Sequence, residues 1–158
     1  HQSMFETFYL QTIFNSPIFI PKNELLKIPI FGWYLKKIGS ISVNRNKISK
    51  ENLGLIDKIK ESVSNSKRPI LIFPQATRVL PNDKIPFKKG VGRIYKELNI
   101  KCQPVAINSG YVWPKTGDLK FNKCITVSIL SPISPGMNPN DFVNTIEKNI
   151  YLELDKLD

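Results

Sequence analysis

The chain has 158 residues, 41% hydrophobic and 23% charged, with 12 prolines and 8 glycines, which excludes collagen-like, low-complexity and wholly disordered classes. Two cysteines and one histidine are too few for the usual zinc ligand sets, so metal-dependent chemistry on protein ligands is not expected. Lysine plus arginine number 23 against 13 acidic residues, and the resulting charge of +10 favours a polyanionic partner: an anionic membrane surface, a phosphorylated substrate or nucleic acid.

An AT-rich coding bias explains the abundant lysines equally well, so the scarcer Arg45, Arg68, Arg78 and Arg93 carry more information. One domain over residues 1–158 is expected, because domains most often hold about 100–150 residues. Apolar β-branched runs alternate with amphipathic stretches, which predicts an α/β fold: a mostly parallel central sheet flanked by helices.

In chain order, a strand is predicted at Ile18–Ile20, followed by the apolar run Ile28–Leu35. Pro29 and Gly32 interrupt that run, and it falls far short of the roughly 18 residues of a membrane span. A short strand Ile41–Val43 leads to a helix capped by Ser49 and running to about Ser64, with Leu53, Ile56, Ile59 and Val63 on one stripe. Ile70–Phe73 is uniformly apolar, as a strand buried on both faces should be. A helix over Gly90–Leu98 presents Val91, Ile94, Tyr95 and Leu98, and strands follow at Pro104–Ile107 and Ile125–Leu130. Pro139 opens a last helix with Val143, Ile146, Ile150, Leu154 and Leu157 at helical spacing. Cys102 and Cys124 lie among apolar neighbours and read as buried, reduced thiols, which fits a cytosolic environment. The chain begins at His1 rather than Met, so a processed domain or fragment lacking an upstream membrane-anchoring segment is expected.

Four segments carry chemistry. In His1-Gln-Ser-Met-Phe-Glu6 a carboxylate five positions after an imidazole can hold one ring nitrogen as N–H and leave the other to accept a proton. A frayed terminal histidine is the plain alternative. In Gly39-Ser-Ile-Ser-Val-Asn-Arg45 a strand delivers an arginine at its carboxyl end, where open α/β sheets collect ligands, and the guanidinium fork suits a phosphate. Ile70-Leu-Ile-Phe-Pro-Gln-Ala-Thr-Arg78 repeats that plan with Thr77 and Arg78 on a turn, and Lys88 and Lys89 precede the Gly90 helix, where backbone N–H groups favour anions. A solvated basic loop is the alternative there. Cys102-Gln-Pro-Val-Ala-Ile-Asn108 reads mainly as a structural strand.

Taken together and in order, these segments resemble the glycerophospholipid acyltransferases. His1 to Glu6 is similar to that family's H-x-x-x-x-D, Gly39–Arg45 to its second motif with Glu24–Trp33 before it, and Phe73–Arg78 with Phe87–Gly90 to its F-P-E-G-T-R and F-K-x-G. The strand around Pro104–Ile107 resembles its fourth motif. Three residues depart from the pattern: Glu6 for aspartate, Gln75 for glutamate, and Ala76 for glycine, the last implying a turn without a strongly positive φ unless it is strained.

The resemblance implies acyl transfer, without a covalent acyl-enzyme, from acyl-CoA or acyl-carrier protein to the sn-2 hydroxyl of lysophosphatidate at the cytoplasmic face of a membrane. His1 would be the general base and Glu6 its orienting partner; Arg45, Arg78, Lys88 and Lys89 would hold the phosphate, Thr77 would assist the oxyanion, and Gln75 and Ala76 would line the acceptor pocket. In the same light Ile28–Leu35, beside Lys36 and Lys37, lines an acyl groove or dips into the bilayer interface; a buried core helix explains it equally. Rival readings are acylation of another lysolipid or of glycerol 3-phosphate, and a non-catalytic basic module binding membranes or nucleic acid.

Overall fold

In a computed structural model the described residues are 1–43 and 50–157, with the side chains of 50–53 left out of the description. The chain divides into two compact units, one of His1–Phe8 with Phe73–Asp158 and one of Tyr9–Ile72. Helix α1 (Phe5–Ile13) contributes its first residues to the former and its last to the latter.

The Tyr9–Ile72 unit holds β1 (Ile18–Phe19), a 3-10 turn at Asn23–Lys27, α2 (Phe31–Lys37), α3 (Lys50–Ser66) and β2 (Ile70–Leu71). β1 and β2 are parallel, with Ile18 opposite Ile70 and Phe19 opposite Leu71. Residues 41–43 run alongside β1 in the same sense: Ile41 N–H donates to Phe19 O at 2.9 Å, Val43 N–H to Pro21 O at 3.0 Å, and Lys22 bridges Val43. The parallel plan therefore holds here, in strands of two residues where three or four are expected. Pro17, Pro21, Pro69 and Pro74 flank them, and a proline has no N–H to extend a ladder. Leu10, Ile18, Phe19, Leu35, Ile56 and Ile59 are the buried large apolar side chains among this unit's described residues. Arg68 stitches its edge, donating from Nε to Ser16 O at 2.5 Å and from Nη2 to Ile38 O at 2.6 Å.

The other unit carries α4 (Gly90–Leu98), β3 (Val105–Ile107), β4 (Val127–Ile129) and α5 (Pro139–Leu154). β3 and β4 pair antiparallel, Ala106 facing Ser128, contrary to a mostly parallel central sheet. The connection explains this: residues 108–126 contain only a 3-10 turn at Ser109–Tyr111, and a parallel return needs a crossover, usually a helix. α4 spans the residues predicted for it, and α5 starts at Pro139 as predicted, capped by the Asn138 side chain, which accepts from Asn140 N–H at 2.9 Å. Their apolar stripes meet in a core of Phe87, Tyr95, Phe142, Val143, Ile146 and Tyr151, where the Tyr95 and Phe142 rings stack at 3.8 Å. Gly92 makes the crossing possible, since a Cβ there would lie 2.5 Å from Pro139 O.

Two expectations need correction. Cys124 is exposed and Cys102 only partly buried. Within Ile28–Leu35 only Gly32 and Leu35 are buried, while Ile30 and Trp33 are largely exposed, so the run is not a core helix. Among the described residues no helix is long and apolar enough to cross a membrane.

Candidate active site

Ser3-Met-Phe-Glu6 is a capping box, and it builds the centre of the site. Ser3 Oγ accepts from Phe5 N–H at 3.1 Å, and Glu6 Oε1 reaches back to accept from Ser3 N–H at 3.1 Å and Gln2 N–H at 2.7 Å. This turn begins α1 and fixes a carboxylate that is completely buried. Its remaining oxygen, Oε2, lies 2.5 Å from His1 Nδ1. Ser109, the first residue of the turn after β3, donates its Oγ–H to Glu6 Oε1 at 2.5 Å. Three donors thus converge on Oε1, and Oε2 faces the imidazole. Against a carboxylate, which accepts, the tautomer that hydrogen-bonds is the one with its proton on Nδ1.

The loop Phe73–Arg78 holds the imidazole from the other side. The Phe73 ring stacks on it at 3.8 Å and 16°, and the His1 side chain is 14% exposed. Gln75, 3% exposed, accepts from the His1 main-chain nitrogen at 2.6 Å and donates to Tyr151 Oη at 3.4 Å. The Tyr151 hydroxyl donates to Ile85 O at 2.6 Å, and burial raises its phenol above the usual range, keeping that donor intact. Gln75 is thus spent on support of His1. Val79 N–H donates to His1 O at 3.0 Å, and Lys88 N–H to Pro74 O at 2.9 Å, clamping the loop at both ends. Ala76 sits at φ +61°, in the left-handed region, so the turn keeps the conformation that glycine suits and the alanine is strained.

Of the remaining predicted site residues, Thr77, Lys88 and Lys89 are exposed and Arg78 is half-buried one position before Val79. Among the described residues no ion pair neutralises Arg78, Lys88 or Lys89. Arg45 lies outside the described residues. Among the described residues no three His, Cys, Asp or Glu side chains are grouped to hold a metal ion. Sequence reasoning missed Ser109, Tyr151 and Gln2, whose Oε1 accepts from Gly110 N–H at 3.0 Å. The capping box was legible as S-x-x-E before an apolar run. Nothing local marks Ser109, because its partner is 103 positions away.

A buried carboxylate 2.5 Å from an imidazole can orient that ring for proton transfer. The chain matches the family model described as Acyltransferase over residues 1–108, and it belongs to that family. It is 34% identical over 131 residues to the 1-acyl-sn-glycerol-3-phosphate acyltransferase of Pseudomonas aeruginosa, covering 82% of this chain and 50% of that protein. It is 34% identical over 140 residues to the Saccharomyces cerevisiae protein of the same name, covering 85% and 45%. The chain spans about half the length of these relatives. Its fold is similar to that of the Thermotoga maritima 1-acyl-sn-glycerophosphate acyltransferase PlsC, at TM-score 0.76 and 22% identity over 99% of this chain and 63% of that one.

Proposed function

We propose that the chain transfers a fatty acyl group from a thioester, acyl-CoA or acyl-carrier protein, to the sn-2 hydroxyl of lysophosphatidate, giving phosphatidate. The observation that carries this reading is the 2.5 Å contact of His1 Nδ1 with the buried Glu6 carboxylate. Residues 1–158 supply the catalytic machinery. His1 Nε2 takes the proton of the acceptor hydroxyl as its oxygen attacks the thioester carbonyl. Glu6 stabilises the imidazolium that forms. As the tetrahedral intermediate collapses, the C–S bond breaks and His1 returns the proton to the leaving thiolate.

No covalent acyl-enzyme is needed, because a thioester is already activated; for the same reason the reaction requires neither metal nor cofactor. Arg78, with Arg45, Lys88 and Lys89, binds the acceptor's phosphate and so fixes the hydroxyl near the carbonyl. Thr77 and adjacent N–H groups stabilise the oxyanion. Ala76 shapes the turn that carries them, and Gln75 contributes through His1. The thioester donors and the lysolipid meet at the cytoplasmic face of a membrane, and the enzyme works there.

The test is an acyl-transfer assay with a labelled acyl thioester, offering lysophosphatidate and glycerol 3-phosphate to the parent and to His1→Ala. Labelled phosphatidate from the parent, reduced at least about a hundredfold in the variant, is expected. A labelled protein intermediate, or turnover that survives His1→Ala, would remove the mechanism. Preference for glycerol 3-phosphate would reassign the acceptor.

A further inference from the structure

The residues that lead into α4 have no regular structure from 83 to 88, yet they deliver Lys88 and Lys89. Pro86 has no N–H, and among the described residues no strand pairs with this segment, so its backbone groups must find partners elsewhere. Two partners come from α5, one helical turn apart. Glu147 Oε2 accepts from Phe87 N–H at 2.6 Å, and the Tyr151 hydroxyl donates to Ile85 O. Beyond them the Lys88 and Lys89 carbonyls accept from Val91 and Gly92 N–H at 3.1 Å as α4 begins. Phe87 is buried, its ring 5.3 Å from that of Tyr151, so packing holds its side chain while Glu147 holds its main chain. The position of both lysines follows from that hold.

Glu147 is half-buried, and a carboxylate so placed on a helix is ordinarily solvated or paired with a cation. Among the described residues no ion pair involves it. Its charge is directed instead to a single peptide N–H, in a bond roughly twice as strong as a neutral one. By charge alone Glu147 would repel a phosphate, so any help it gives to anion binding comes through geometry.

We infer that Glu147 is a positioning residue for the acceptor: by holding Phe87 N–H it sets Lys88 and Lys89 where they meet the lysophosphatidate phosphate. The inference rests on the acyl-transfer reading, in which those lysines bind that phosphate. It adds a residue of α5, which none of the four chemistry-bearing segments contains.

The experiment compares the parent chain with Glu147→Ala, Glu147→Asp and Glu147→Gln. Each is assayed for acyl transfer to a short-chain lysophosphatidate, and the same lysolipid is titrated calorimetrically without thioester. Glu147→Ala leaves Phe87 N–H without its acceptor and should raise the lysophosphatidate KM and Kd roughly tenfold, with kcat and the thioester KM within about twofold of the parent. Glu147→Asp keeps the charge but draws it back by one methylene, so it should lose affinity in the same direction. Glu147→Gln keeps an oxygen for Phe87 N–H and loses the repelling charge, so its Kd should stay within about threefold of the parent. In a chain already carrying Lys88→Gln and Lys89→Gln, Glu147→Ala should add less than about twofold, because nothing is left to position. A merely structural role would add its full cost in that background. Parent-like Kd in Glu147→Ala and Glu147→Asp, a loss confined to kcat or the thioester KM, no rescue by Glu147→Gln, or a full further loss beside the lysine substitutions would overturn the role and leave acyl transfer standing. A parent that neither binds nor acylates lysophosphatidate would remove the acceptor reading and this role with it.

Discussion

Glu6 Oε2 lies 2.5 Å from His1 Nδ1, and in the acyl-transfer mechanism proposed above Nδ1 donates there and leaves Nε2 to take the proton. Glu6→Gln preserves size but offers an N–H₂ to the imidazole, which must then accept at Nδ1 and carry its proton on Nε2. A drop in kcat of at least about a hundredfold is expected, with little change in the thioester KM, read by steady-state kinetics. Ala76 gives a prediction of opposite sign. An alanine there rules out a strongly positive φ unless the turn is strained, and the turn takes φ +61° with the alanine bearing the cost. Ala76→Gly should therefore stabilise the fold by about 1 kcal/mol, a rise in Tm of roughly 2–4 °C in a thermal melt.

At the scale of elements, the close approach of α4 and α5 depends on Gly92. Gly92→Ala drives a methyl against the Pro139 carbonyl and the Val143 side chain, whose Cγ2 is 2.9 Å from the added Cβ position. A loss of about 1–3 kcal/mol in denaturant unfolding is expected, and an unchanged midpoint would show that the helices can part freely. These helices were legible in the sequence because their signals are local: Pro139 at the start of one, and Tyr95, Val143 and Ile146 at helical spacing on buried faces. Strand length and direction were not. Prolines cut the ladders short, and the antiparallel pairing of β3 with β4 follows from how residues 108–126 return, which apolar runs do not encode. α1 was legible only in part. The spacing of His1 and Glu6 lets them meet in one pocket if the chain turns into a helix, and the capping box that places Glu6 is what begins that helix.

For the molecule as a whole, the two thiols separate sharply. Cys124 is exposed, whereas burial pushes the Cys102 thiol up to about 11. Iodoacetamide near neutral pH should modify one thiol in the folded protein and both in denaturant, as counted by mass spectrometry. The same shift makes stability depend on pH. Between the ordinary thiol value of 9.0 and about 11 the folded chain keeps the Cys102 proton while the unfolded chain loses it. Stability should fall as pH rises through that window, by at most about 1.4 kcal/mol per pH unit from this group, and Cys102→Ala should flatten the slope. The site itself was readable as motifs but not as an assembly. His1 and Glu6 are near neighbours in sequence, while Gln75, Ser109 and Tyr151 reach them only through folding.

That long reach bears on synthesis. As the polypeptide leaves the ribosome, His1 and Glu6 emerge before Ser109, whose hydroxyl completes the acid's contacts, and before Tyr151, whose phenol stands behind Gln75. A nascent chain stalled short of α5 therefore holds His1 and Glu6 without the support that Tyr151 gives through Gln75.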